Sequence, residues 1–116
     1  MTLFERIIAR EIPSTIVFEN EDFIAFKDIN PKAPVHVLCV PKKVSSRLDE
    51  LSGLEMGALF EIATKVAREG CGLNDYRLAV NLGAGAGQII FHTHIHILGG
   101  WKDSSAEAHH NQMGEN

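Results

Sequence analysis

The sequence predicts an α+β domain, an antiparallel five-stranded sheet with a main helix and a short N-terminal helix. Two observations lead there. β-branched and apolar runs outnumber helical stretches along the 116 residues, and the last two of those runs are joined only by a short glycine loop. Strands joined so closely pair antiparallel, with the helices packed on one face.

Thr2 followed by Glu5 has the spacing of a capping box. Leu3, Phe4, Ile7 and Ile8 then form an apolar stripe, so a short helix should run to about Arg10 and stop before Pro13. Thr15 to Phe18 and Phe23 to Phe26 read as a hairpin around Glu-Asn-Glu-Asp. Residues 28–34 form a rigid loop with two prolines. Val35 to Val40 is the third strand, closed by Pro41. Ser52 and Glu55 make a second capping box, and Leu54, Ala58, Leu59, Ile62, Ala63, Val66 and Ala67 recur at helical spacing. This main helix ends at Gly70-Cys71-Gly72. Arg77 to Leu82 is the fourth strand, Gly83 to Gly87 a glycine-rich loop, and Ile89 to Leu98 the fifth strand. Residues 1–100 make the domain; from Gly99 onward the chain turns polar, and 101–116 is expected to be a loosely packed tail.

With 45% hydrophobic and 22% charged residues, the composition is that of an ordinary globular protein. A net charge of -4 gives no electrostatic reason for a nucleic-acid polymer as partner. No apolar run approaches the roughly 20 residues of a membrane span. The N-terminus lacks the layout of a signal peptide, and the two cysteines, Cys39 and Cys71, form no C-x-x-C pair. Cytoplasm is the expected compartment.

Half of the six histidines fall in Phe91-His92-Thr93-His94-Ile95-His96-Ile97-Leu98. On a strand, His92, His94 and His96 share one face and Phe91, Thr93, Ile95 and Ile97 the other, with adjacent imidazoles roughly 7 Å apart. Two chemistries fit this pattern. Two histidines two apart grip zinc, with His96 or His36 as a further ligand. Alternatively, a neutral imidazole attacks an electrophilic phosphorus or acyl centre. The loop Gly83-Ala84-Gly85-Ala86-Gly87-Gln88 leads into a strand and not a helix, so it is no dinucleotide fingerprint. It reads either as a hairpin connection or as an anion-accepting loop whose N–H groups approach phosphate oxygens. Taken alone, His36 reads as a core histidine, Asp28 as a turn residue and the pair His109 and His110 as part of the polar tail.

Taken together, these residues resemble the histidine triad (HIT) family, specifically its Hint-like branch. Gly87-Gln88-Ile89-Ile90-Phe91-His92-Thr93-His94-Ile95-His96-Ile97-Leu98-Gly99-Gly100 matches the signature strand. Ile7-Ile8 through Ile12-Pro13, Ala25 through Pro31, Ala33 through His36, Pro41-Lys42-Lys43, Tyr76-Arg77 and Val80-Asn81 match in order, up to about Gly100. The resemblance implies a homodimer that takes a purine nucleotide, AMP-like, as small-molecule substrate and needs no cofactor and no metal. It implies hydrolysis or transfer at the α-phosphate of purine nucleoside phosphoramidates or related AMP conjugates. His94 would be the nucleophile that forms a nucleotidyl-histidine. His92 and His96 would orient it and hold phosphate oxygens, and His36 would complete the imidazole network. Asn81 would contact the phosphate or ribose, Asp28 the ribose hydroxyls. Leu3, Phe4, Ile7, Phe26, Ile29 and Leu38 would wall the base slot, and Gly87, Gln88 and Ile89 complete the nucleotide-binding set. Position 89 is isoleucine where this branch commonly carries a serine that assists the leaving nitrogen, which implies a slower phosphoramidase or a different leaving group. A nucleotide-binding partner protein with little catalysis and a zinc-dependent hydrolase are the alternative readings.

Overall fold

The computed structural model describes residues 1–102, so the tail segment beyond Lys102, with His109 and His110, lies outside the described residues. The elements run α1 (Leu3–Ile8), β1 (Ile16–Glu19), β2 (Phe23–Lys27), β3 (Val35–Pro41), α2 (Gly53–Lys65), β4 (Tyr76–Ala79) and β5 (Ile95–Gly99). Both capping boxes form: Thr2 accepts from the Glu5 N–H and Ser52 from the Glu55 N–H, each glutamate reaching back to the cap N–H. The helix α1 ends with its apolar stripe at Ile8, short of the expected Arg10, which is left-handed at φ 65°. The C-terminal end of α2 widens into a π turn over Val66–Gly70.

The five strands lie in the order β1-β2-β3-β5-β4, every neighbouring pair antiparallel. The fifth strand is shorter than its alternation predicts, because residues 89–94 stay outside the sheet. The ladder between β3 and β5 stops at Cys39↔Ile95. Two residues on, Pro41 has no N–H with which to extend it. The fourth strand shortens in consequence. Its last pair is Ala79↔His96, so Val80 to Leu82 find no partner strand.

The helices do not share one face. Alternate residues of β2, β3 and β5 enter two separate cores. Ala25, Val37, Cys39, Ile95 and Ile97 pack with Leu59, Ala63, Val66 and Ala67 beneath α2. Ile24, Phe26, Leu38 and Val40 pack with Phe4 and Ile7 of α1. Near-continuous apolar strands of this kind require cover on both sides. The small helix α1 supplies part of that cover, and the functional cleft opens beside it.

Leu59 is fully buried in the larger core. Leu59→Ala should therefore lower stability by about 2–5 kcal/mol, read as a lower urea midpoint with unchanged slope.

Candidate active site

The α1 side of the sheet holds a cleft of about 340 Å³ that the helix itself helps to line. Of the predicted residues, Leu3, Phe4, Ile7, Phe26, Asp28, Ile29, His36, Leu38, Asn81, Gly87, Ile89, His94 and His96 line it, and His92 and Gln88 do not. Apolar walls form one part: Phe4 meets Phe26 edge-on with ring centroids 5.4 Å apart. Ile29 and Ile89 stand at the rim, 82% and 80% exposed. Sequence reasoning missed Ile90 and Lys32, which also line the cleft. Nothing in their residue types marks them.

Backbone geometry fixes which imidazole nitrogen carries each proton. The Lys32 backbone N–H donates to His36 Nδ1 at 3.0 Å, so this nitrogen is an acceptor. In a neutral ring the proton then sits on Nε2, which lies 2.9 Å from His96 Nδ1 and donates to it. His96 in turn carries its proton on Nε2. The chain of donors thus runs from the loop after Asp28 through two rings and ends on an N–H of a cleft-lining residue.

His94 is set differently. Its Nδ1 lies 2.7 Å from the His92 carbonyl, which can only accept. Nδ1 therefore holds the proton, and Nε2 keeps the lone pair. Phe4 meets the His94 ring edge-on at 5.0 Å, and His96 lies 4.9 Å away, centroid to centroid. The His92 ring is turned away from the cleft: it is buried and donates from Nε2 to the Pro41 carbonyl at 2.7 Å. Its carbonyl, by contrast, bonds the His94 ring. Among the described residues, His92 Nδ1 is buried without a hydrogen-bond partner.

The glycine loop forms one 3-10 turn over Ala84–Ala86, flanked by Gly83 at φ 90° and Gly87 at φ 92°. Those left-handed angles favour glycine, and a Cβ on Gly83 would also lie 3.0 Å from the Arg47 guanidinium. Gln88 is buried behind the loop. Its oxygen accepts from the Gly83 N–H, and its amide donates to the Ser46 and Ile90 carbonyls. With its oxygen and amide so engaged, Gln88 staples the loop and does not face the cleft.

Asp28 Oδ2 lies 3.5 Å from His36 Nε2. Asp28, His36 and His96 each offer one atom within 4.8 Å of the others, a set that could hold a metal ion. His36 Nε2, the ring nitrogen near Asp28, donates to His96 Nδ1, so an ion held through that nitrogen would have to displace its proton and this bond.

Burial is the first cause that depresses all three cleft imidazoles. His36 and His94 fall below the usual 6.5, and His96, also beside His94 and His36, falls to about 3. The His92 carbonyl partly counters this at His94. At neutral pH the three rings are uncharged. The unfolded chain binds protons on these histidines first as pH drops, so folding loses stability below about pH 6.5. Urea midpoints should be level above pH 7 and fall progressively between pH 6.5 and 5.

The sequence matches the HIT domain over residues 9–103. The chain is 39% identical over 103 residues to the purine nucleoside phosphoramidase of Escherichia coli, covering 85% of this chain and 87% of that one. It is 44% identical over 106 residues to the 14 kDa zinc-binding protein of Zea mays, covering 85% and 81%. A solved HIT family hydrolase from Clostridium thermocellum superposes with a TM-score of 0.81 at 43% identity, over 90% of this chain and 94% of that one. With a matched domain, a shared fold and these imidazoles in one cleft, the chain belongs to the HIT family.

Proposed function

We propose that this protein is a purine nucleoside phosphoramidase-like hydrolase that acts at the α-phosphate of AMP conjugates through a nucleotidyl-histidine on His94. The observation that carries the reading is the His94 tautomer: Nδ1–H held by the His92 carbonyl at 2.7 Å, with the lone pair left on Nε2. The name of the Escherichia coli relative supports the substrate class.

In this mechanism Nε2 of His94 attacks the α-phosphorus, and the bond to the leaving nitrogen breaks as that nitrogen takes a proton from solvent and departs as the free amine. Water then cleaves the P–N bond to His94 and regenerates the ring. His96 presents its Nε2–H to a phosphoryl oxygen, held in that role by the donor chain from Lys32 and His36. Phe4, Ile7, Phe26 and Leu38 take the purine between apolar walls, Leu3 and Ile29 extend them, and Asp28 and Asn81 meet the ribose and phosphate side. The mechanism needs no metal. Ile89 offers the leaving group no hydrogen bond, which favours slow turnover of an unsubstituted amide. Two free thiols, Cys39 and Cys71, suit a reducing compartment such as the cytoplasm.

Turnover of adenosine 5'-monophosphoramidate in EDTA tests the reading. Wild-type protein should hydrolyse it, and His94→Ala should fall to background while AMP binding survives, because the walls of the cleft are other residues. Undiminished hydrolysis by that variant would exclude the covalent role, and activity lost to EDTA would favour the metal reading.

We also propose a homodimer. Among the described residues the outer edge of β4 has no neighbour in the sheet, and all four residues of β4 are half-buried. Leu54 of α2 is 90% exposed. Sedimentation equilibrium should give twice the chain mass; a single-chain mass at micromolar concentration would exclude the pairing.

A further inference from the structure

Residues 92–94 lie outside the sheet, yet one of their peptide groups sets the tautomer of His94. The His92 carbonyl and the Thr93 N–H belong to the same planar peptide unit and point in opposite directions. The carbonyl faces the His94 ring. The N–H donates to the Ser45 carbonyl at 2.7 Å. Fixing one end of that plane fixes the direction of the other.

Around this bond sits a buried pair of hydroxyls. Ser45 Oγ and Thr93 Oγ1 lie 2.7 Å apart. Thr93 Oγ1 is also 3.2 Å from the Ser45 carbonyl, and Ser45 Oγ is 3.1 Å from the Arg47 carbonyl. Both residues are at most 5% exposed, and neither lines the cleft. Either assignment of the shared proton leaves both hydroxyls with an acceptor. Thr93 moreover occupies a slot of the alternation whose other members, Phe91, Ile95 and Ile97, are apolar.

We infer that the Ser45–Thr93 hydroxyl pair is a positioning clasp: it holds the His92–Thr93 peptide plane so that the His92 carbonyl keeps the His94 proton on Nδ1. The two residues act through backbone and never touch substrate. The His92 ring anchors the same peptide from its other side, on the Pro41 carbonyl. The link to turnover rests on His94 being the nucleophile; the link to the tautomer does not.

The test is Thr93→Val, which keeps the shape and removes the hydroxyl, beside Thr93→Ser, which restores it. Imidazole nitrogen NMR reads the His94 tautomer, and steady-state hydrolysis of adenosine 5'-monophosphoramidate reads the rate. Wild type should show Nδ1–H alone. Thr93→Val should show a mixture of both tautomers, with kcat down about tenfold and KM within about twofold, since a misplaced nucleophile costs rate and not binding. Thr93→Ser should recover both. A folded Thr93→Val with His94 still wholly Nδ1–H overturns the proposal, whatever its rate. A mixed tautomer with unchanged kcat keeps the clasp and instead overturns His94 as nucleophile. Should Thr93→Val not fold, Ser45→Ala removes the partner hydroxyl with a smaller change and is judged by the same tautomer readout.

Discussion

The site depends on the register of β3 against β5. Leu38 stands opposite His96 and His36 opposite Leu98, so the two histidines are diagonal neighbours on one face. Their rings come to 5.2 Å and their nitrogens to 2.9 Å. Side chains alternate along a strand, so a slip of one residue would turn His96 toward α2 and bring an isoleucine into the cleft. The register is held on both sides: Val37 and Cys39 are locked into one core, Leu38 and Val40 into the other.

Within that frame the chemistry follows from taking imidazoles out of water. Desolvation disfavours the charged ring, so a cluster that would share positive charge in solution stays neutral here. Each neutral ring has one donor and one acceptor, and the acceptor or donor it meets chooses between them. The Lys32 N–H chooses for His36, His36 for His96, and the His92 carbonyl for His94. All three choices trace to main-chain groups. The pattern of histidines sets where the rings go, and the backbone sets what they can do.

Much of this was legible in the residues. The two capping boxes, the order of strands and helices along the chain and the shared face of His94 and His96 follow from spacing that side-chain period enforces, whereas His36 joins them only through the family resemblance. Three features were not. The alternation from Phe91 to Leu98 looks like one strand because residue types record face preference and not ladder partners; Pro41 and the loop after it decide where pairing stops. Both-sided burial was hidden because short apolar strands read alike whether one helix covers them or two. The inward-turned ring of His92 and the stapling amide of Gln88 were hidden because each is engaged with a main-chain carbonyl, a partner present at every residue.

Phe26 and Leu38 are walls of the cleft and members of the core beneath α1 at once. Any substitution there that reshapes the slot also opens a void or an overlap inside the domain. Ile29 and Ile89 border the same cleft almost wholly in solvent and carry no such double duty. The protein is thus divided into a part that cannot drift and a part that can. The mouth of the cleft can be reshaped at the rim, where a change of side chain leaves the fold indifferent.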